Sequence, residues 1–590
     1  MNPLPHPPLR WPQRFLIGLT VLTWGLVTWF CLLSIDSAIE RSFVVTVWVA
    51  TALTVGFWSR RAWFGMLAAS AFYGLMWSAS ALKFQYLEVP AIAPDLYYFF
   101  SLDTVKVIAG YPLLAVACLA LLGGIPLLLW LAWRSEPSAD WSRHPAPRRR
   151  WGRRAGVGFG LLILAMSLTP QGVFGTVYGK PMWLAVNDQS FIADFIISFY
   201  DTQIQIPPAS VAADPAIDWT AASAPDSAAG AVAAADPAPS PDIVAVLEES
   251  TFDPNQIVVC RKQPLCQRAM FKPDARTLAH GLLGVHSFGG GTWTAEFSLI
   301  TGLVHTLFGN AGLYAPYNLA PRVQFSVAKS LRAQGYRVVG LYPTGADFLN
   351  GRNAYRNYGF DQLYDGIELG LPHLARDQQV FALFWKLYQQ EKQAHPDQPL
   401  FFFVLTLHQH GPHMTALRKL PAPYNRALFL HRLGKKKDLD DWLNLNLANY
   451  LQRNAESDVA MGDLEKRLLD RKQPTLLLHF GDHQPSFDGA MMVLDKALPA
   501  DWGEHPQWAT YYLLKSNIAN APRFHYPTLN LAYLGGLLMQ AAGIPPNAYY
   551  TANRRLRERC DGRYEECADP RWLPSYHDYI FRQLKVLGEE

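Results

Sequence analysis

The chain has 590 residues, of which 50% are hydrophobic and 17% charged, with a formal net charge of +4. That length allows several domains, and the composition is too apolar for an ordinary soluble protein. Much of the positive charge lies in one short loop, which argues against a nucleic-acid partner.

Apolar segments occupy about 15–35, 43–58, 62–80, 110–133 and 155–170. The first and fourth are long enough to span a bilayer unaided. The second and fifth need their flanks, because a spanning helix takes about 20 residues. A buried helical bundle is the alternative, but the segments are apolar all round rather than on one face, which favours five transmembrane helices. The run in 1–35 is too long for a cleavable signal peptide, and no small-residue cleavage site follows it. Arg10 and Arg14, then Arg60 and Arg61, then Arg134, Arg143, Arg148, Arg149, Arg150, Arg153 and Arg154 fall in alternate loops. The positive-inside rule places those loops in the cytoplasm and everything after residue 170 outside it.

A transmembrane domain is therefore expected over 1–170, followed by a connecting region over 171–241. Within the latter, 171–205 carries Trp183, Phe191, Phe195 and Phe199 and reads as helices at the membrane surface or packed on the next domain. Residues 207–241 are rich in Ala, Pro, Ser and Asp and read as a flexible linker. Cys31 and Cys118 fall in the spans, whereas Cys260, Cys266, Cys560 and Cys567 fall in the exported part. Their close spacing suggests two local disulfides, Cys260–Cys266 and Cys560–Cys567. A zinc cluster is disfavoured, since neither pair has the usual two-to-four residue spacing.

From 242 to 590 short apolar runs alternate with amphipathic stretches. Strands are predicted at 243–248, 337–342, 400–406, 474–480 and 509–515, and helices at 323–334, 377–393, 440–470 and 527–542. This alternation predicts an α/β domain with a central, mainly parallel sheet, whose ligands bind at the carboxyl ends of the strands. Glu248-Glu249, His410 and Asp482-His483 each fall just after such a run.

Asp482-His483 follows Gly481, and two such neighbours can reach one cation where a glycine frees the backbone. A carboxylate behind a buried strand needs a cation or strong hydrogen bonds; strand alternation turns only one of Glu248 and Glu249 toward the site and does not choose between them. Thr292 follows Gly289-Gly290-Gly291, a turn that lets backbone approach phosphate, and Thr294 is a nearby competitor. A threonine hydroxyl becomes a nucleophile once a metal or base lowers its pKa. His408, His410 and His413 follow the apolar run Phe401 to Leu405 and are candidates to bind metal, orient a leaving oxygen or hold phosphate. Arg352, in Asn350-Gly351-Arg352-Asn353, is a candidate phosphate clamp.

These motifs, in this order, resemble the lipoteichoic acid synthase branch of the alkaline phosphatase and sulfatase superfamily. The family's Glu-Ser strand end matches Glu249-Ser250, its Gly-Asp-His matches Gly481-Asp482-His483, and its Thr-x-x-x-His-x-Pro matches Thr406 through His410 to Pro412. Its nucleophile motif, Thr-Ser-Asp-Ala-Glu-Phe, is similar to Thr292-Trp293-Thr294-Ala295-Glu296-Phe297, with Trp293 and Thr294 in place of Ser and Asp. The segment from Gly335 to Asp361 also resembles the family's, one residue short between Arg352 and Gly359. The resemblance implies a sulfatase-like catalytic domain and selects Glu249 over Glu248 and Thr292 over Thr294. It implies one divalent cation on Glu249, Thr292, Asp482 and His483, manganese by likeness, with zinc or magnesium compatible. It further implies Thr292 as the nucleophile, with His410 and Arg352 assisting. The implied protein is a phosphotransferase of the bacterial inner membrane, with its catalytic domain on the periplasmic or extracellular side. Its donor would be a phospholipid, phosphatidylglycerol above all, and its acceptor a hydroxyl of an extracytoplasmic glycan or polymer. The alternatives are phosphoethanolamine transfer to lipid A or a glycan, hydrolysis with water as acceptor, and a non-catalytic membrane sensor. Sulfatase chemistry is disfavoured, because the motif lacks the Cys or Ser, the Pro and the Arg that formylglycine formation needs.

Overall fold

The computed structural model describes residues 11–33, 35, 37–87, 90–98, 112–139, 146–179, 190–200, 204–210, 213–214, 216–220, 240–428, 437–487, 489–503 and 505–588. The chain divides into two compact units, one of residues 1–85 and 89–202 and one of 86–88 and 203–590.

In the first unit every predicted apolar segment is helical: Trp11–Leu33, Ala38–Ser59, Ala62–Leu87, Pro112–Ser135 and Ala146–Ser167. Among the described residues three stretches are long and apolar enough to cross a membrane, Ala38–Ser59, Ala62–Phe84 and Ala115–Ser135. In the last helix Arg148, Arg149, Arg150, Arg153 and Arg154 dilute the apolar character, whereas Trp11–Leu33 carries no charged residue after Arg14. Helices Ala38–Ser59 and Ala146–Ser167 approach closely at glycines: a Cβ on Gly160 would lie 2.2 Å from the Thr54 hydroxyl. Small residues allow such contact where no hydrophobic force drives helices together. The short helix Phe191–Ile197 packs on Ala62–Leu87, with Phe191 against Trp77 and Phe84 at 6.0 and 5.5 Å between ring centroids. Trp183 lies outside the described residues.

The second unit is built on an eight-stranded sheet. Its strands are β1 (Asp242–Glu248), β2 (Thr277–Gly284), β3 (Arg337–Tyr342), β4 (Gln362–Asp365), β5 (Leu400–Thr406), β6 (Thr475–Gly481), β7 (Ala509–Ser516) and β8 (Thr528–Asn530). The order is β4-β3-β5-β1-β6-β7-β2-β8. Only β7 runs against the rest, pairing antiparallel with β6 and β2. The predicted, mainly parallel sheet is therefore present. β1, β5 and β6 are buried along their whole length, as expected of central strands covered on both faces.

Helices fill both faces. On Asp377–Ala394, Phe381, Phe384, Leu387 and Tyr388 recur at helical spacing and are buried. Phe384 meets Phe402 of β5 edge-on at 4.9 Å. Burying each such ring contributes roughly 1.5–3 kcal/mol. The helix start is set by Gln379, whose side chain accepts from the Arg376 N–H.

Two predicted helices start later than expected. The one predicted at 323–334 is Val327–Ala333, because the Ser326 hydroxyl caps it by accepting from the Lys329 N–H. The one predicted at 527–542 is Leu531–Ala541; Asn530 caps it by accepting from the Ala532 N–H, and Thr528–Asn530 are the edge strand β8. The segment predicted as a flexible linker is docked where it is described. Trp219 is only 4% exposed and packs on Trp572, Tyr576 and Tyr579. Asp214 donates its N–H to the Ser575 hydroxyl. Residues 221–239 of that linker lie outside the described residues. Both expected disulfides are formed, Cys260–Cys266 and Cys560–Cys567.

Candidate active site

The register places the ends of β1, β5 and β6 side by side, with Glu248 opposite Thr406 and Gly481. The residues just beyond, Glu249 and Asp482, follow directly. Ser250 adopts a left-handed backbone (φ 53°) and donates its N–H to Asp482 Oδ1 at 2.8 Å. The His483 N–H donates to the same oxygen, also at 2.8 Å. Gly481 makes this closure sterically feasible, since a Cβ there would lie 1.7 Å from the Thr251 carbonyl oxygen.

Neighbouring carboxylates Glu248 and Glu249 face opposite ways. Glu248 accepts from the Tyr511 hydroxyl. Glu249 Oε1 stands 3.5 Å from His410 Nε2. Burial, then Asp482 and Glu296, raise the Glu249 carboxyl well above its usual range. Burial raises Asp482 too, against the pull of His483, the Thr292 hydroxyl and the Ser250 N–H.

Thr292 opens the helix Thr292–Thr301, with Gly291 before it at φ 87°. A helix start aims free N–H groups and a positive partial charge outward, which suits phosphate. The loop before it is hooked to the β6 end: the Ser287 hydroxyl donates to the Asp482 carbonyl at 3.3 Å, and the Gly289 N–H to that of Gln484 at 3.0 Å. Thr294 is buried, and its hydroxyl donates to the Gly291 carbonyl at 2.7 Å. Thr292 is the threonine beside Asp482.

Of the three histidines that follow β5, one reaches this place. His408 Nε2 pairs with Glu456 at 3.0 Å. His413 is buried against Tyr450 and Phe487. His410 has Nδ1 at 2.6 Å from the Gly411 carbonyl. That oxygen only accepts, so Nδ1 carries the proton and Nε2 is free to exchange one. Burial, then His483, His373 and Arg453, hold His410 below the usual imidazole range. Arg453 ties the loop down by donating to the carbonyls of His410 and Pro412 at 2.7 and 2.9 Å.

Arg352 is engaged elsewhere. Its guanidinium pairs with Asp347 at 3.0 Å, Glu368 at 3.1 Å and Asp365 at 3.5 Å. Glu296 was not singled out by sequence. It lies four residues after Thr292 on the same helix face, is 3% exposed and accepts from Tyr355 at 2.7 Å and Tyr342 at 3.5 Å. Burial, supported by Asp482, pushes it up to about 8. Its signal was the i,i+4 spacing from Thr292.

Glu249 Oε2, Asp482 Oδ2 and His483 Nε2 are all buried without a hydrogen-bond partner. Unpaired buried groups of this kind are costly. His483 Nδ1 lies 3.0 Å from the Gln484 carbonyl, which leaves Nε2 as the lone-pair nitrogen, the arrangement usual for a metal-binding histidine. Together with the Thr292 hydroxyl these atoms are a hard, oxygen-rich donor set suited to a divalent cation. Among the described residues no three His, Cys, Asp or Glu side chains form a closed metal cluster; His483 Nε2 and Asp482 Oδ2 lie 3.3 Å apart.

The profile of the family described as Sulfatase matches residues 241–544. The chain belongs to the sulfatase family. An uncharacterised protein of Haemophilus influenzae is 31% identical over 363 residues, 59% of this chain and 62% of that protein. A Rhizobium meliloti protein, provisionally named for cyclic beta-1,2-glucan modification, is 27% identical over 331 residues, 53% of this chain and 47% of that protein. The chain thus spans less than two thirds of either relative's length. Among solved structures, Streptococcus pyogenes phosphoglycerol transferase GacH, in complex with sn-glycerol-1-phosphate, aligns at 18% identity with a TM-score of 0.43, covering 60% of this chain and 90% of that one.

Proposed function

We propose that this sulfatase-family chain is a metal-dependent membrane phosphotransferase. It moves phosphoglycerol from phosphatidylglycerol, through Thr292, to a hydroxyl of an extracytoplasmic glycan or polymer. The observation that carries this reading is a set of buried atoms without a hydrogen-bond partner just beyond β1 and β6, Glu249 Oε2, Asp482 Oδ2 and His483 Nε2, the last two 3.3 Å apart, with Thr292 at a helix start beside Asp482. A bound divalent cation, manganese by family likeness, would supply Lewis-acid stabilisation of charge on the threonine and phosphate oxygens.

Thr292 Oγ attacks the phosphorus in line, an O–P bond forms, and the bond to the diacylglycerol oxygen breaks. His410 Nε2 takes up the threonine proton and returns it to the departing diacylglycerol oxygen. The phosphoglycerol-threonine ester is then attacked by the acceptor hydroxyl, with His410 passing that proton back to Thr292. The N–H groups at the helix start hold phosphate oxygens. Arg352, paired with three carboxylates, would reach glycerol or phosphate only by exchanging one of them.

Five spans, a cytoplasmic N-terminus and a catalytic unit outside the cytoplasmic membrane complete the proposal. The two disulfides support that side, since such bonds persist in oxidising compartments. The glucan-related name of the Rhizobium relative is consistent with a glycan acceptor.

The test is incubation of the purified full chain and manganese with fluorescent phosphatidylglycerol and phosphatidylethanolamine. Diacylglycerol release from the first supports phosphoglycerol transfer, and release from the second alone moves the reading to phosphoethanolamine. Folded protein that releases neither sinks it.

A further inference from the structure

A second concave site opens on the same edge of the sheet. β2 ends at Gly284, paired with Ala509 at the start of β7, so the residues after 284 emerge beside those before 509. The turn Gly284 to His286, the side chains of Trp502, His505 and Trp508, and the loop Arg563 to Glu566 line a cleft of about 90 Å³ that opens to solvent. The disulfide Cys560–Cys567 closes the loop that forms its outer wall.

The cleft is coupled to the Thr292 site through its walls. His286 precedes Ser287, which is bonded to the Asp482 carbonyl. Gln484, two residues after Asp482, donates to the carbonyls of Pro506 and Ala509 at 3.2 and 2.6 Å.

Its lining combines aromatic faces with hydrogen-bonding groups. Trp502 and Trp508 line the cleft, with the His505 ring 4.0 Å and the His286 ring 5.2 Å from that of Trp508. His286 Nε2 contacts Glu565 Oε1 at 3.2 Å, while the Glu565 side chain stays 50% exposed. Arg563 is committed to Asp501 and to Glu566, the latter at 3.4 Å. Flat aromatic faces beside carboxylates that accept hydroxyl protons match a sugar, whose C–H faces stack while its hydroxyls donate. Two carboxylates at the mouth, with the one arginine already paired, repel a polyanion.

We propose that this cleft binds a neutral, hydroxyl-rich glycan and presents one of its hydroxyls to the Thr292 site; the inference rests on the transferase reading and names its acceptor class. The test uses the full chain carrying Trp502→Ala, Trp502→Phe or Glu565→Gln, with a linear gluco-hexaose as probe. Head-group transfer to the hexaose is measured alongside release of fluorescent diacylglycerol without sugar. Hexaose binding is measured by saturation-transfer NMR on the catalytically silent Thr292→Ala protein, with and without the cleft substitutions. Trp502→Ala and Glu565→Gln are expected to raise the acceptor KM about tenfold or more and to abolish the NMR signal. Diacylglycerol release should stay within about twofold of the parent, and Trp502→Phe should retain most binding. Should Trp502→Ala not fold, Glu565→Gln carries the same comparison. Unchanged transfer and binding in these variants, or a glycerol-phosphate oligomer displacing the hexaose, would overturn the proposal. If no lipid is cleaved yet the hexaose binds in a Trp502-dependent way, the glycan site stands and the transferase reading fails.

Discussion

Glu248 and Glu249 are consecutive carboxylates, both at most 4% exposed, yet they answer to different surroundings. Glu248 turns to Tyr511, near Asp377, Asp458 and Glu465. Glu249 turns to His410 and Asp482. The same division separates two threonines. Thr294 spends its hydroxyl on the Gly291 carbonyl, inside its own helix turn, while Thr292 stands at the opening. Thr292→Ala is therefore expected to cut diacylglycerol release by roughly three orders of magnitude or more. Thr294→Ala should cost about 1 kcal/mol of stability and change turnover only a few-fold; a larger loss of turnover in Thr294→Ala than in Thr292→Ala would reassign the nucleophile. Glu296→Ala strands the Tyr355 and Tyr342 hydroxyls in a buried site. Thermal unfolding should show a loss of about 1–3 kcal/mol, with Glu296→Gln milder because its carbonyl still accepts. Family likeness chooses Glu249 and Thr292; strand alternation leaves the glutamate pair open and the glycine turn leaves the threonine pair open, and the i,i+4 spacing that marks Glu296 counts only once 292–301 is known to be a helix.

The elements legible in sequence are those with a strong local pattern. β1, β3, β5, β6 and β7 are built round short apolar runs and lie within a residue or so of their expected bounds. β2, β4 and β8 went unseen. β2 carries His280, Gly281 and Gly284, and β4 and β8 have only four and three residues, so each owes its extended form to a neighbour strand rather than to its own propensity. The helix Thr292–Thr301 likewise hid behind its glycines, which suit a turn as well as a helix start. The β6 end is the most tightly specified junction. Gly481→Ala would press a Cβ on the Thr251 carbonyl, a backbone atom with little room to yield. The expected result is about 1–3 kcal/mol lower stability together with weaker manganese binding by isothermal titration; an unchanged Tm would mean that the Thr251 segment relaxes.

For the whole molecule, pH and topology provide the tests. His305 and His479, both in the second unit, are lowered by burial to about 3, with His286 and Lys515 respectively adding to it. In the unfolded chain each would protonate near 6.5. Below that pH each of these two sites binds its proton only in the unfolded chain, so the stability the pair contributes is full above about pH 6.5 and declines as pH falls toward 3. The slope is about 1.4 kcal/mol per pH unit for each histidine. The Glu296 carboxyl, raised to about 8, acts in the opposite sense over the same range, so the histidine contribution is read by difference: between pH 7 and 4.5 the pH slope of the unfolding free energy should be lower in His479→Asn than in the parent by about one proton, and an unaltered slope would count against a buried neutral His479. For topology, Arg149→Cys in a chain without Cys31 and Cys118 should resist a membrane-impermeant maleimide in intact cells and react after permeabilisation. Labelling in intact cells would reverse the orientation.

What sequence alone determined is whatever short-range chemistry specifies. Apolar length marked the N-terminal helices, alternation marked the α/β class, and close cysteine spacing marked the two disulfides. Motif order carried the likeness to the superfamily. Tertiary structure decided which way each candidate side chain points. It separated His410 from His408 and His413, committed Arg352 to three carboxylates, docked Trp219 where a free linker was expected, and brought the Trp502 and Glu565 segments together beside β2. Those outcomes depend on strand order and register between residues hundreds of positions apart. They are set by which polar groups burial leaves satisfied, a quantity that exists only once the sheet has closed.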